Sequence, residues 1–114
     1  MAEPTLIRER HAKVLMEQDE FVRIYAQTDK LAFGVANFQP GQRGPLDPGH
    51  PGVQEVAYVV RGQFVFEFPD SASQRFVELR EGDAILIPEG APHGAINISR
   101  ELGVICWAIA PYIK

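Results

Sequence analysis

Of the three histidines in the 114 residues, His93 has the most informative setting. It lies in the stretch GDAILIPEGAPHGAIN, residues 82–97, which reads as strand, tight turn and strand. Residues 84–87 form a short apolar run between turn-forming residues. Pro88 ends that run because it has no amide hydrogen for a sheet ladder. Gly90 reaches backbone angles that other residues adopt only with strain. His93 then opens the returning strand. Side chains alternate between faces, so His93, Ala95 and Asn97 share one face and Gly94, Ile96 and Ile98 the other. An imidazole on an inward face just after a turn stands near the mouth of whatever the strands enclose, where a ligand site belongs. His50 lies in QPGQRGPLDPGHPG, residues 39–52, which is too rich in Pro and Gly for regular structure. His11, set among Arg8, Glu9, Arg10 and Lys13, reads as an exposed side chain. The chain has no Gly-rich phosphate loop and no Ser/His/Asp arrangement.

The elements that must position these side chains are strands. Residues 1–20 are a polar N-terminal edge segment, in which 5–7 and 12–16 each read as an added edge strand. Residues 21–26 (FVRIYA) and 31–38 (LAFGVANF) are β-branched and aromatic, and the short polar loop between them makes a hairpin. The second of these strands is apolar on both faces, with Leu31, Phe33 and Val35 on one and Ala32, Ala36 and Phe38 on the other. Such a strand has to be covered twice. Residues 55–60 (EVAYVV), 63–68 (QFVFEF), 76–79 (FVEL) and 103–110 (GVICWAIA) complete the set, with turns at Arg61-Gly62 and over 69–75 and 99–102. No stretch has a helical period. Short strands at turn spacings of about 8–12 residues predict an all-β sandwich or barrel.

Composition agrees. Gly and Pro number 10 and 9, above the usual combined share of about 12%, which suits many strands joined by many turns. A chain of this length makes one domain, here 1–114 with its barrel at 21–110. The net charge of −4 disfavours nucleic acid, which calls for a basic face. The charged N-terminus lacks the apolar stretch of a signal peptide, and no run approaches the ~18 residues of a membrane helix. Cys106 is the one cysteine, so no intrachain disulfide forms. It reads as a small buried residue in the last strand. A cytoplasmic protein with no membrane partner is expected.

Gly82, Pro88, Gly90, His93 and Asn97 together match a known motif: Gly, five residues, Pro, one residue, Gly, two residues, His, three residues, Asn. Chance gives the three Gly and Pro matches about once per 4,000 start positions. On these residues the chain resembles the cupin superfamily, in particular its small single-domain barrels. That family's first motif ends in Glu, six residues, Gly, and Glu55 and Gly62 satisfy it. The motif also carries His-x-His just before the Glu. His50 fits the second histidine, Pro48 occupies the place of the first, and Asp47 stands one residue earlier.

The resemblance implies a double-stranded β-helix, or jelly-roll barrel, with a metal cage at one end. It implies a ligand set of His50, Glu55 and His93, with Asp47 as a fourth ligand replacing the missing histidine. Two imidazoles and a carboxylate suit one divalent transition metal (Fe, Mn, Ni or Zn) and leave positions open for water or substrate. Asn97, Gln54 and backbone carbonyls are the candidates to orient the rings. The remaining pocket is expected to be lined by Ala57, Val59, Phe64, Phe66, Ala95 and Asn97, with Tyr58 and Trp107 unassigned.

Three function classes follow. The resemblance favours a metal-dependent enzyme acting on a small organic molecule, either a dioxygenase or a lyase, isomerase or cyclase using the metal as a Lewis acid. A non-catalytic small-molecule binder or sensor and a metal-free structural barrel stand beside it. The doubly apolar strands at 31–38 and 104–109 and the habits of small cupins both predict a homodimer.

Overall fold

The computed structural model describes residues 2–17 and 20–112. After a single 3-10 turn at Glu9–His11, nine strands follow: β1 (Lys13–Glu17), β2 (Glu20–Gln27), β3 (Ala32–Phe38), β4 (Gln54–Arg61), β5 (Gln63–Glu67), β6 (Phe76–Arg80), β7 (Ala84–Ile87), β8 (Gly94–Asn97) and β9 (Gly103–Ala110). They form a six-stranded sheet, in the order β1-β2-β3-β9-β4-β7, and a three-stranded sheet, β6-β5-β8. All pairings are antiparallel. Among the described residues no helix is long and apolar enough to cross a membrane. The all-β expectation is met, and the two sheets enclose the core as in a jelly-roll barrel.

The inward face follows from alternation. On β3 the buried positions are Ala32, Gly34, Ala36 and Phe38, while Phe33 and Val35 face out. On β4 Ala57 and Val59 are buried, and Val56, Tyr58 and Val60 are exposed. The small sheet contributes Phe64, Phe66, Leu79 and Ala95 to the same core, with Phe64 and Phe38 meeting edge to face at 5.2 Å between ring centroids. Each fully buried side chain of this size stabilises the fold by about 1.5–3 kcal/mol.

Three expectations need correction. Residues 5–7 form no strand: Leu6 is exposed, so no buried face holds the chain there. The second edge strand does form, one residue later than expected, as β1. Cys106 is half-buried, because it alternates with the inward Ile105 and Trp107 and so lies on the outer face of β9. That outer face is the second departure from an ordinary surface. Val14, Met16, Phe33, Val56, Tyr58, Val60 and Leu86 stand exposed across it, and Arg23, which also lies on it, rests 4.7 Å from the Phe21 ring.

Residues 39–52 hold no strand, as their composition requires, yet they are tied to β8. Isolated bridges join Arg43 to Ile96 and Asp47 to His93. Gly41 N–H donates to Asn97 O, Asn97 N–H to Gln42 O, and Gly44 N–H to Ala95 O, each at 2.9 Å. The Pro/Gly segment thus runs beside β8 as an irregular fourth member of the small sheet, and this brings Asp47 to His93.

Candidate metal centre

Three acid and imidazole side chains meet at one end of the barrel. Glu55 comes from β4, where it faces inward between Ile87 of β7 and Ile109 of β9. His93 immediately precedes β8 and is buried. Asp47 comes from the Pro/Gly segment and exchanges two backbone hydrogen bonds with His93. Residues facing each other in an antiparallel bridge project their side chains to the same side, so the pairing of 47 with 93 aims both at Glu55. Among the described residues, one ligand atom from each of the three lies within 4.8 Å of the other two. His93 Nε2 is 3.4 Å from Glu55 Oε1 and 4.0 Å from Asp47 Oδ2.

This donor set fits a divalent cation. His93 Nδ1–H donates to Ala91 O at 3.0 Å, which leaves Nε2 as the nitrogen facing the two carboxylates. A backbone carbonyl therefore orients this ring. Ligand atoms bonded at about 2.0–2.2 Å to one ion stand about 3–3.5 Å apart; the 3.4 Å between His93 and Glu55 already fits, and Asp47, at 4.0 Å from His93, would have to move inward. Two part-buried carboxylates this close repel each other unless a proton or a cation lies between them. Burial pulls the His93 imidazole down, but the hydrogen bond to Glu55, the Ala91 carbonyl and the charges of Glu55 and Asp47 outweigh it, leaving its pKa above the ordinary histidine value.

His50 is not part of this group. Its side chain is over half exposed, with Nε2 3.8 Å from Asp47 Oδ1. The local turn explains why Asp47 joins the cluster and His50 does not. Asp47 Oδ1 accepts Gly49 N–H at 2.8 Å, and Gly49 takes φ +81°, which swings the following residue outward. A side chain at 49 is also barred by contact, since a Cβ there would fall 2.7–2.8 Å from the Gly90 and Ala91 backbone. The His50 carbonyl accepts Gly90 N–H at 3.0 Å and Val53 N–H at 3.3 Å. Gly90 itself has φ +76°, as the turn before His93 demands.

A cavity of about 460 Å³ adjoins the cluster. Ala57, Phe66 and Ala95 line it as expected, together with Trp107, Ile24, Ile109 and the mouth residues Lys13, Gln27, His50 and Tyr112. Val59, Phe64 and Asn97 do not line it; all three are completely buried. Alternation places them on the correct face but says nothing of depth. Asn97 serves instead as a clamp. Its Nδ2 donates to the carbonyls of Phe38, Gln39 and Glu101, and its Oδ1 accepts from Ser99 N–H and Oγ–H. Lys13 and Ile24 were missed, although they face each other on the inward parity of β1 and β2. A larger groove of about 710 Å³ between β6 and β7 contains none of the three cluster residues.

A family model described as the cupin domain matches residues 34–109. No curated protein matches the sequence. Among solved structures the chain is similar to KdgF from Halomonas sp., with a TM-score of 0.79 and 21% identity over 98% of this chain and 97% of that one. An RmlC-like cupin from Shewanella frigidimarina gives a TM-score of 0.78 and 18% identity, covering 98% and 95%. The Drosophila melanogaster CENP-C cupin domain gives 0.75 and 18%, covering 94% and 81%. At these identities the likeness concerns the fold.

Proposed function

The chain belongs to the cupin domain family, and on that premise we propose that it binds one divalent transition metal through Asp47, Glu55 and His93 and acts as a Lewis-acid enzyme on a small organic molecule. The observation that carries this reading is the composition of the cluster, two carboxylates and one imidazole. Oxygen-rich sets favour harder ions such as Mn(II), and the single imidazole keeps Zn and Fe(II) in range. Two carboxylates also balance the 2+ charge of such an ion in a part-buried site.

When bound, the ion supplies Lewis acidity toward a carbonyl or hydroxyl oxygen of the substrate. The chain's own residues do the rest. Asp47 and Glu55 hold charge at the cavity's end, and His93 presents Nε2 because Ala91 O holds its other nitrogen. The apolar wall around Ala57, Trp107 and Ile109 excludes water from the reacting end. His50, at the mouth and open to solvent, is placed to carry a proton between the ligand and bulk water.

Elemental analysis of protein purified without added metal tests the reading. About one metal per chain is expected in the wild type, lost in Glu55→Ala and in His93→Ala. Wild-type metal content in both variants would sink it. A loaded protein that binds small molecules but converts none would leave a binder or sensor.

The outer face of the large sheet supports a homodimer. Seven large apolar side chains stand exposed on it, and a second copy related by a two-fold axis would cover them. Patches of this kind on soluble proteins mark interaction surfaces.

A further inference from the structure

Trp107 is the chain's one tryptophan. It occupies an inward position of β9, opposite Gly34 of β3 on one side and Ala57 of β4 on the other. A Cβ built on Gly34 would fall 2.4 Å from Cζ2 and 2.7 Å from Cε2 of the indole. The ring therefore fills the space over β3 that a side chain at position 34 would otherwise take. It is half-buried and lines the cavity beside the acid cluster. No described residue pairs with its Nε1–H. The one buried, unpartnered side-chain nitrogen or oxygen among the described residues is Gln42 Nε2, so the indole N–H is open to the space it faces. Buried indoles usually find a partner; this one has a donor to spare.

Polarity in the cavity is divided. Asp47, Glu55 and His93 hold one end. The inward positions nearest Trp107 on β9 and on its neighbours β3 and β4 are Ala32, Ala36, Ala57, Ile105 and Ile109, all apolar, and the polar lining residues Lys13, Glu20 and Gln27 belong to β1 and β2. Glu55 faces Ile109, one inward step along from the Ala57–Trp107 pair, so the indole and the cluster are within reach of one small molecule.

We propose that Trp107 is the recognition platform of this cavity, and that the ligand is a planar, apolar-faced ring carrying adjacent oxygen donors at one edge. The ring lies against the indole and its oxygens reach the cluster; this rests on the metal-binding reading of Asp47, Glu55 and His93. A saturated sugar ring lying on the indole would turn hydroxyls toward the alanine and isoleucine side chains of these three strands. A short acyclic acid would leave the indole uncovered.

The test compares three probes that share a carboxylate and a hydroxyl group: salicylate (planar ring), glucuronate (saturated ring) and lactate (acyclic). Each is titrated into dialysed Zn(II)-loaded protein by calorimetry. Salicylate is expected to bind at least tenfold more tightly than the other two. That preference should shrink to within about threefold in Trp107→Leu and largely return in Trp107→Phe, with Zn(II) affinity unchanged in both. Equal binding of the three probes by the wild type, or a preference that survives Trp107→Leu, overturns the proposal. Failure of the wild type to take up Zn(II) would count against the metal reading alone. In that event phenol, which carries no charge, is titrated into the metal-free protein while the single indole N–H resonance is followed. A shift upholds the platform and an unmoved resonance refutes it.

Discussion

Asp47 and His93, 46 positions apart in the chain, are joined by a closed pair of backbone hydrogen bonds: Asp47 N–H to His93 O at 2.7 Å and His93 N–H to Asp47 O at 2.9 Å. The two residues are thus held in register by main chain alone, and their side chains approach Glu55 together. This pairing makes Asp47 a member of the cluster and leaves His50 outside it.

Asp47→Ala should therefore weaken metal binding by roughly 100-fold or more, since it removes one of three protein ligands and a charge. His50→Ala should change affinity by no more than about threefold. Calorimetric titration of Zn(II) or Mn(II) into both variants decides the matter, and the reverse order of effects would return His50 to the ligand set.

Gly49→Ala should lower stability by about 2 kcal/mol. The new methyl meets the Gly90–Ala91 backbone at 2.7–2.8 Å, and φ at this position is +81°. The clash also pushes Asp47 away from the turn that leads into His93, so metal affinity should fall as well. Denaturant unfolding and metal titration read the two effects; an unchanged midpoint would mean that the loops do not touch in solution.

Gly34→Ala places a methyl inside the contact radius of the Trp107 ring and should cost about 1–3 kcal/mol as overpacking. Combining it with Trp107→Leu removes the obstacle. The double variant should then be more stable than the sum of the two single losses implies. Strict additivity in thermal melts would show that the ring does not rest over position 34.

Sedimentation equilibrium should give twice the chain's mass at micromolar concentration. Val56→Glu, in the exposed middle of the large sheet, should shift it to monomer with the far-ultraviolet spectrum unchanged. A wild-type monomer throughout that range would leave the face unpaired.

In the metal-free protein, stability should fall as pH rises through the raised His93 pKa. Burial lowers that pKa, but Glu55, the Ala91 carbonyl and Asp47 raise it more, so the folded chain holds the proton more tightly than the unfolded one. The contribution is complete below the ordinary histidine value and is lost above the shifted one. Metal uptake runs the other way, tightening with pH as it displaces that proton. Melting temperatures across about pH 5.5–8.5, with and without metal and against His93→Ala as the flat reference, should show the two opposite slopes.

The strands were legible because Gly and Pro bound them sharply. The reading at 84–87 and 103–110 coincides with β7 and β9, and β4 to β6 differ by a residue at one or both ends. The inward parity of Glu55, Ala57 and His93 also followed from alternation. What the pattern could not supply is geometry where the pattern lapses. In the Pro/Gly segment both Asp47 and His50 were expected at the site, and that only Asp47 joins the cluster depends on one Asx turn and one left-handed glycine, which no periodicity encodes. Asn97 shows a related limit. Its position marked it as inward, but only the approach of carbonyls from Phe38, Gln39 and Glu101 makes it a clamp and not a pocket residue.

The way residues 41–47 are held has a consequence for how such a site evolves. Their attachment to β8 at Gly41, Gln42, Gly44 and Asp47 runs through main-chain groups, so at position 47 almost any residue other than proline supplies the same bonds. Apart from the single bond to Gly49, the side chain at 47 is free of structural duty. Mutation can exchange one donor there for another, carboxylate for imidazole or back, while the barrel's fold stays intact. Under the metal-binding reading, the choice of ion is a trait that one codon can revise.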